Sequence, residues 1–588
     1  MKNSYVSKGV ISRGVAVSGY RDSPHALVVI SGGKAYETKL NGYSYLFISS
    51  GGEATSSLLL GNSSYVYVYS AGKAYNTIVA HAHGKLFVDK GGKAEHSIVR
   101  SGGSIFVARG GSSISSFVES GNITVWGYDN ASILNAGTMY LGSTGIALNT
   151  TINRRASMSV VQGSVKDAIV NPGGELQMEG HATNIILAGD MFVANGGTAT
   201  HTTVNSFGQL HVSSGGAVTS SIVNFGGSMV LDRGLAQNTM VNSEGEMYIS
   251  RGSAQNTDIE SGGRLSIHGG EATNTRVHFG GRLDVFVGGR ATDITVNSGG
   301  YLYIYNGGRV KNVMVNSGGI LNGFLLQSSV SFVEGPLSFE NAKVQQNVAA
   351  YLDSGDRAEN AIVNSSAYFY VQAGGSAITT TVNWGVLTIN SSGFAKNSII
   401  NSTGFMYVSL GGTAVDTIVN SGGRINVCSG GVIMDTVINS GGSMFISSGG
   451  SANTLNIFNN GVVCVERGAV IDEINFVLTQ ALPGTSMLFN DLSLVSELSN
   501  YVITVSSQTK DGIYWLADGA ANFDKTISIQ NEEETLGTLT IGKTLKIGKV
   551  SYTLDCKDSQ LILSVSGMSM QSTKSDINGN NVSDVMFQ

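Results

Sequence analysis

This chain of 588 residues has little cysteine, proline or charge, and each shortage removes a class of protein. Its three cysteines, Cys428, Cys464 and Cys556, are too few and too scattered for a disulfide framework or a zinc cluster, and they decide no compartment. Charged residues make up 13 % of the chain and the net charge is −6, with no basic patch, so nucleic acid is not an expected partner. No apolar run reaches the roughly 18 residues of a membrane-spanning helix. The opening MKNSYVSKGVISRGVAVSGY has no apolar run of a secretory signal, so the expectation is a route of export not visible in this chain. Helix is also excluded: apolar residues are not sustained at three- and four-residue spacing, and 79 glycines would break such a helix.

What is abundant is repetition. The segment VNSGGYLYIYNGGRVKNVMVNSGG (296–319) reads as an Asn-Ser-Gly-Gly corner, a short alternating strand, a Gly-Gly turn and a second short strand. An aliphatic residue precedes the Asn corner at Val204, Val223, Val241, Ile259, Val277, Val296 and Val315, and again at Val363, Val382, Ile400, Val419 and Ile438, always 18 or 19 residues apart. A fixed period of this size marks a solenoid, whose units bury a core only by stacking on their neighbours. In Gly-Gly-Arg282-Leu283-Asp284-Val285 the aliphatics fall at every second position, which sends Leu and Val inward and Arg and Asp outward. In Ala272-Thr273-Asn274-Thr275-Arg276-Val277 a small Ala, a Thr and a Val face the axis. The regular Val, Ile and Leu argue against disorder despite the Ser, Thr, Asn and Gly content.

The corner Asn recurs at Asn205, Asn224, Asn242, Asn297, Asn316, Asn364, Asn383, Asn401, Asn420 and Asn439. Stacked, these amides donate to the carboxamide above and accept from the one below, satisfying groups the bend would strand. A residue present in every coil defines no single catalytic site, so the column reads as a structural ladder. With about 19 residues per coil and strands about 4.8 Å apart, residues 28–476 predict about 23 coils and a monomeric rod on the order of 110 Å long.

The runs VNSGG at 296–300 and 315–319, IVNSGG at 418–423, and Gly196-Gly197-Thr198-Ala199-Thr200-His201-Thr202-Thr203-Val204 resemble the passenger repeats of AIDA-type bacterial autotransporter adhesins. The resemblance covers residues 28–475. It implies an all-β, right-handed parallel β-helix exposed at the cell surface and used in adhesion, with Ser and Thr that carry heptose in some relatives. Neither an extended signal peptide before the repeats nor a membrane barrel after them is part of the resemblance.

Around the repeats, residues 1–27 read as an N-terminal cap, because an open solenoid end exposes strand edges. The pattern degenerates at 122–170 and at 320–350, where a decayed repeat or a budding loop are the two readings. Residues 477–566 read as a small C-terminal β cap domain, and 567–588 as a polar tail. In that tail Asp576, Asn578, Asn580 and Asp584 with the Val582 carbonyl place oxygens as a calcium loop does, resembling FG-GAP or integrin-type repeats; the alternative is a solvated tail.

Two constellations bear on enzymatic chemistry. Asn256-Thr257-Asp258 imitates a hydrolase motif, but the same frame gives Asn238-Thr239-Met240 and Asn274-Thr275-Arg276 one coil away. His81-Ala82-His83 puts two imidazoles on one face with no third ligand nearby. The expectation is a non-enzymatic surface or secreted rod attaching to cells, glycans or proteins, with a carbohydrate-active lyase or hydrolase as the alternative.

Overall fold

The computed structural model describes residues 2–49, 51–305, 307–316, 319–322, 338–340, 343–344, 349–352, 354–364, 367–458, 460–479, 482–484 and 489–567. Of these, residues up to Met314 form one compact unit and those from Val315 onward a second. Both are built from parallel coils. Among the described residues there is no α-helix, the one helical turn being the 3-10 segment Leu492–Leu494.

Within a coil the alternation produces the expected faces. Leu265, Leu283 and Leu302 stand in register on consecutive coils, as do Ile267, Val285 and Ile304. Ala254, Ala272 and Ala291 form a second inward column, and Ile259, Val277 and Val296 a third. The aliphatics that precede the Asn corners, from Val204 to Val315 and from Val363 to Ile438, are all 0 % exposed. Removing each such side chain from water is worth about 1.5–3 kcal/mol, and the stack repeats that gain coil after coil.

The second face of a coil is more bent than a single short strand. Lys73–Tyr75 and Ile78–Val79 are separate strands, broken where Asn76 takes φ 51°. Where the face runs as one strand, as in Leu235–Val241, the same left-handed residue sits inside it at Asn238, φ 53°. Asn, Asp and Ser fill most of these positions because their short polar side chains tolerate the left-handed region, with Glu37, His96, Ala131, His201 and Thr379 taking it in other coils. The bend lets a seven-residue segment supply two inward walls, Ala then Thr and Val, so Ala272, Thr275 and Val277 are all fully buried.

The stretch 122–170 is regular. Gly121–Val125, Tyr128–Asn130 and Ile133–Leu134 pair in parallel with the coil before and the coil after. One corner is shortened to two residues between Val125 and Tyr128, while another keeps four residues, Gly142 to Gly145, without a Gly-Gly pair. Part of 320–350 is also a coil: Ser338–Glu340, Lys343–Val344 and Ala349–Leu352 pair with the coil that begins at Arg357 and with Tyr368–Val371. Val344 lies 19 residues before Val363, a period that the surrounding sequence hides. Residues 2–19, expected as a cap, contribute a coil of their own, with Lys2–Val6 paired to His25–Val29.

Parallel pairing continues past residue 477. Val470–Val477 is followed in the sheet by Asn500–Thr504 and then Ile527–Gln530. Ile527–Gln530 also pairs antiparallel with Thr535–Leu539. A separate antiparallel sheet takes Gly512–Ala517, Gln560–Ser566, Val550–Lys557 and Lys543–Ile547 in that order. Phe476, Phe489 and Tyr501 are buried in this region, and the Tyr501 ring meets Phe523 edge-on at 4.9 Å.

Candidate functional site

Every outward surface of the coils is a column of side chains spaced by one strand. At the corner following the third inward column, Asn224 Nδ2 donates to Asn205 Oδ1 at 2.9 Å and Asn242 to Asn224 at 2.7 Å. In the second unit Asn383, Asn401, Asn420 and Asn439 each donate to the preceding Asn, at 3.4, 2.8, 2.7 and 2.8 Å, beginning from Asn364. Between these runs the corner is Glu260 and then His278, and Asn297 Nδ2 lies 3.3 Å from His278 Nδ1. Asn316 takes the same corner after Val315.

A second column escaped the sequence reading. The left-handed residues themselves stack, Asn256 donating to Asn238 at 2.9 Å, Asn274 to Asn256 at 2.7 Å and Asn312 to Asp293 at 2.9 Å. Its signal was present in the recurring Asn-Thr-x frame, read only as a repeat position. This column accounts for Asn256 of the hydrolase-like triplet. Asp258 has other partners: its Oδ1 lies 3.5 Å from Arg276 Nη1 and 3.5 Å from His278 Nε2, while Glu260 Oε1 is 3.7 Å from His278 Nε2. Asp258 and Arg276 border a shallow groove of about 350 Å³ that is also lined by Asn238, Asn256 and Asn274. Two carboxylates, a guanidinium and an imidazole thus converge on adjacent coils, although their charges are engaged with one another.

The outward faces of the first strands carry a layer of rings. Phe47, Tyr67 and Phe87 stack at 5.5 and 4.7 Å, and Phe106 continues the column at 6.0 Å. A second column runs Tyr248, His268, Phe286 and Tyr305, with centroid distances of 6.4, 4.2 and 4.2 Å. Under it lies Asp284. The alternation sends this carboxylate outward, yet it is 0 % exposed because the layer covers it. Arg264 Nε donates to Asp284 Oδ2 at 2.7 Å, Arg282 Nε donates at 2.9 Å, and Arg282 Nη2 reaches the Tyr305 hydroxyl at 3.0 Å. The Arg282 guanidinium also lies 4.3 Å from the centre of the Tyr303 ring. Burial and then the nearby Arg264 hold the His268 imidazole below its ordinary pKa, so it stacks as the neutral ring.

Among the described residues, Asp129 is an ionisable group that faces the core. Asp129 occupies the alanine column between Ser113 and Ala147 and is 0 % exposed. Ser132 Oγ donates to its Oδ1 at 2.8 Å, and Oδ2 has no partner. Desolvation pushes its pKa up to about 7, against the opposing hydrogen bonds of Ser132 and Ser113. In the coil before, the same two positions are Ser113 and Ser116, whose hydroxyls are 2.8 Å apart.

His81 and His83 lie side by side with ring centres 5.7 Å apart, and among the described residues no group of three His, Cys, Asp or Glu side chains is arranged to hold a metal ion. The candidate calcium ligands Asp576, Asn578, Asn580, Val582 and Asp584 lie outside the described residues. Cys428, Cys464 and Cys556 are unpaired thiols. Cys464 stands on an outward strand position opposite Phe445, whereas Cys428 follows Val427 at a corner, so the two are not equivalent positions of the coil.

No curated protein matches the chain. Among solved structures, a TibC-catalysed hyper-glycosylated fragment of TibA is 26 % identical, over 66 % of this chain and 99 % of that one, with a TM-score of 0.32. A mutant of the PL6-family alginate lyase AlyGC is 8 % identical, covering 86 % of this chain and 96 % of that one, at a TM-score of 0.13. PfbA, a surface adhesin of Streptococcus pneumoniae, is 9 % identical, covering 93 % of this chain and 91 % of that one, at a TM-score of 0.08. The AIDA family model, described as an adhesin of the bacterial autotransporter system and probable stalk, matches residues 260–319. That segment holds Val277, Val296 and Val315 and the Gly-Gly corners from which the coils are built, so over residues 260–319 the chain is similar to the stalk of AIDA-type autotransporter adhesins.

Proposed function

We propose that the chain is a non-enzymatic attachment protein of the bacterial surface or its surroundings, engaging cells or glycans through the repeated outward faces of its coils. The observation that carries the reading is the stalk-repeat match at 260–319, set in coils whose outward columns repeat the same small polar groups. Many equivalent weak contacts add through multivalency, so attachment depends on coil number more than on any one residue. Removing residues 364–438 deletes four whole coils and joins Val363 to Asn439 in register. Adhesion to cultured cells or glycan-coated surfaces is expected to fall by degrees in this variant. Complete loss would assign attachment to one local site instead.

The convergence of Asp258, Glu260, Arg276 and His278 favours a second reading, a carbohydrate-active enzyme. Against it, Asp258 is already paired with Arg276 on the exposed face, which takes this carboxylate away from work as a free acid or base. Release of reducing or unsaturated sugar ends from acidic glycans, abolished by Asp258→Asn, would establish that alternative.

A further inference from the structure

The turn between the first and second strands of a coil varies in length. Four residues lie between Val212 and Ala217 and between Val285 and Arg290, but only three between Leu231 and Leu235, Ile249 and Ser253, and Ile267 and Glu271. Three short corners in succession, flanked by long ones, leave a notch of about 750 Å³ in the first unit. Crossing it from Gly215 to Gly288 takes four coil steps, about 19 Å at the spacing of parallel strands.

Shortening the corner also removes hydrogen bonds. In a long corner the exposed amides bond to the next coil, Asn195 N to Ser214 O at 3.1 Å and Gly196 N to Gly215 O at 2.9 Å. In the short corners the amides of Arg233, Gly234, Arg251, Gly252, Gly269 and Gly270 have no acceptor among the described residues. These same residues line the notch. The glycines themselves are required by stacking, since a Cβ on Gly234 would lie 2.5 Å from the Val212 carbonyl oxygen. The open donors are a consequence of that requirement.

Three exposed arginines, Arg233, Arg251 and Arg290, border the notch. Arg251 is held by Asp232 in a two-point pair at 2.9 and 3.2 Å, while Arg233 and Arg290 have no carboxylate partner among the described residues. Glu271 lies in the lining and offsets part of this charge. Guanidinium forks and unpaired amide donors are the groups that recognise sulfate and carboxylate oxygens. No aromatic side chain lines the notch to stack a base, which disfavours a single-stranded nucleic acid as occupant.

We propose that this notch binds a linear sulfated glycan, its sulfate groups meeting Arg233, Arg290 and the exposed corner amides of Arg233, Arg251 and Gly269. The proposal rests on the reading of the chain as an attachment protein and gives it one local, charge-selective site. The test is calorimetric titration of the full chain with a heparin hexasaccharide, its desulfated counterpart, sodium sulfate and a single-stranded oligonucleotide. The sulfated hexasaccharide is expected to bind alone among these, and R233A with R290A to weaken it by about tenfold or more per arginine while leaving the thermal melt unchanged. Unaltered affinity in the double variant, equal binding of the desulfated sugar, saturation by sulfate alone, or preference for the oligonucleotide would each overturn the proposal. Adhesion to cells is measured in parallel: if it survives when hexasaccharide binding is absent, the notch assignment fails and the attachment reading stands.

Discussion

Replacing Asp129 with Ser is expected to make the protein more stable at alkaline pH, which is unusual for the loss of a hydrogen-bonded carboxylate. The carboxyl is 0 % exposed in the alanine column, where its neighbours are the hydroxyls of Ser132 and Ser113 and no cation pairs with it among the described residues. Its pKa rises from the ordinary 3.8 to about 7. The folded state therefore holds a proton that the unfolded state releases between these values, and stability falls as pH rises through that window. Asp129 is harmless below about pH 4 and exacts its full cost once pH has risen past about 7, where the difference amounts to about 4 kcal/mol. Asp129→Ser restores the arrangement of the preceding coil, where Ser113 and Ser116 satisfy each other, so Ser132 keeps a partner. Because a solenoid opens locally, the assay is amide exchange of residues 113–152 in both proteins, corrected for intrinsic rates, from pH 5 to pH 9. Protection in the wild type should fall relative to the variant across pH 5–7 and then run parallel to it. Curves parallel over the whole range would refute the buried-acid reasoning.

Val296→Asp places a charge in a column that is 0 % exposed and should cost several kcal/mol, read as a lowered midpoint in a denaturant melt. Arg282→Ser, neutral by the in-out alternation alone, should instead cost about 1–3 kcal/mol, because it leaves the covered Asp284 with Arg264 as its one remaining guanidinium partner; a neutral result would show that Arg264 suffices. Asn401→Ala removes the acceptor of Asn420 and the donor to Asn383, and a loss of about 1–2 kcal/mol in the same melt is expected.

The interior was legible because it obeys one rule per position. Val277 or Leu283 must be apolar whatever lies outside, so period and alternation were enough to place them. The outer layer obeys a pairwise rule that no single coil reveals. Asp284 is covered only because Arg264 sits one coil before it, Arg282 two residues earlier and Tyr305 in the next coil, and nothing in the stretch RLDV announces this. Asp258 does stand in register with Met240 and Arg276, as its frame indicates, and the pairing with Arg276 and His278 is what comparison of single coils leaves out.

Corner length explains the remaining misreadings. A coil of 18 residues and one of 19 bury the same columns, since the missing residue is taken from a solvent-facing turn and leaves the strands in register. The core therefore exerts no pressure on corner length. Loss of Gly-Gly pairs at 122–170 looked like decay, yet the inward residues Ile123, Val125 and Leu134 remain 0 % exposed. Where corners shorten in succession, backbone amides lose the acceptors that a longer neighbour would supply, and Arg233 and Arg251 stand at that break. The position least constrained by folding is thus the one at which a uniform stack acquires a distinct surface, and a one-residue insertion into each short corner should close the notch without disturbing the columns beneath it.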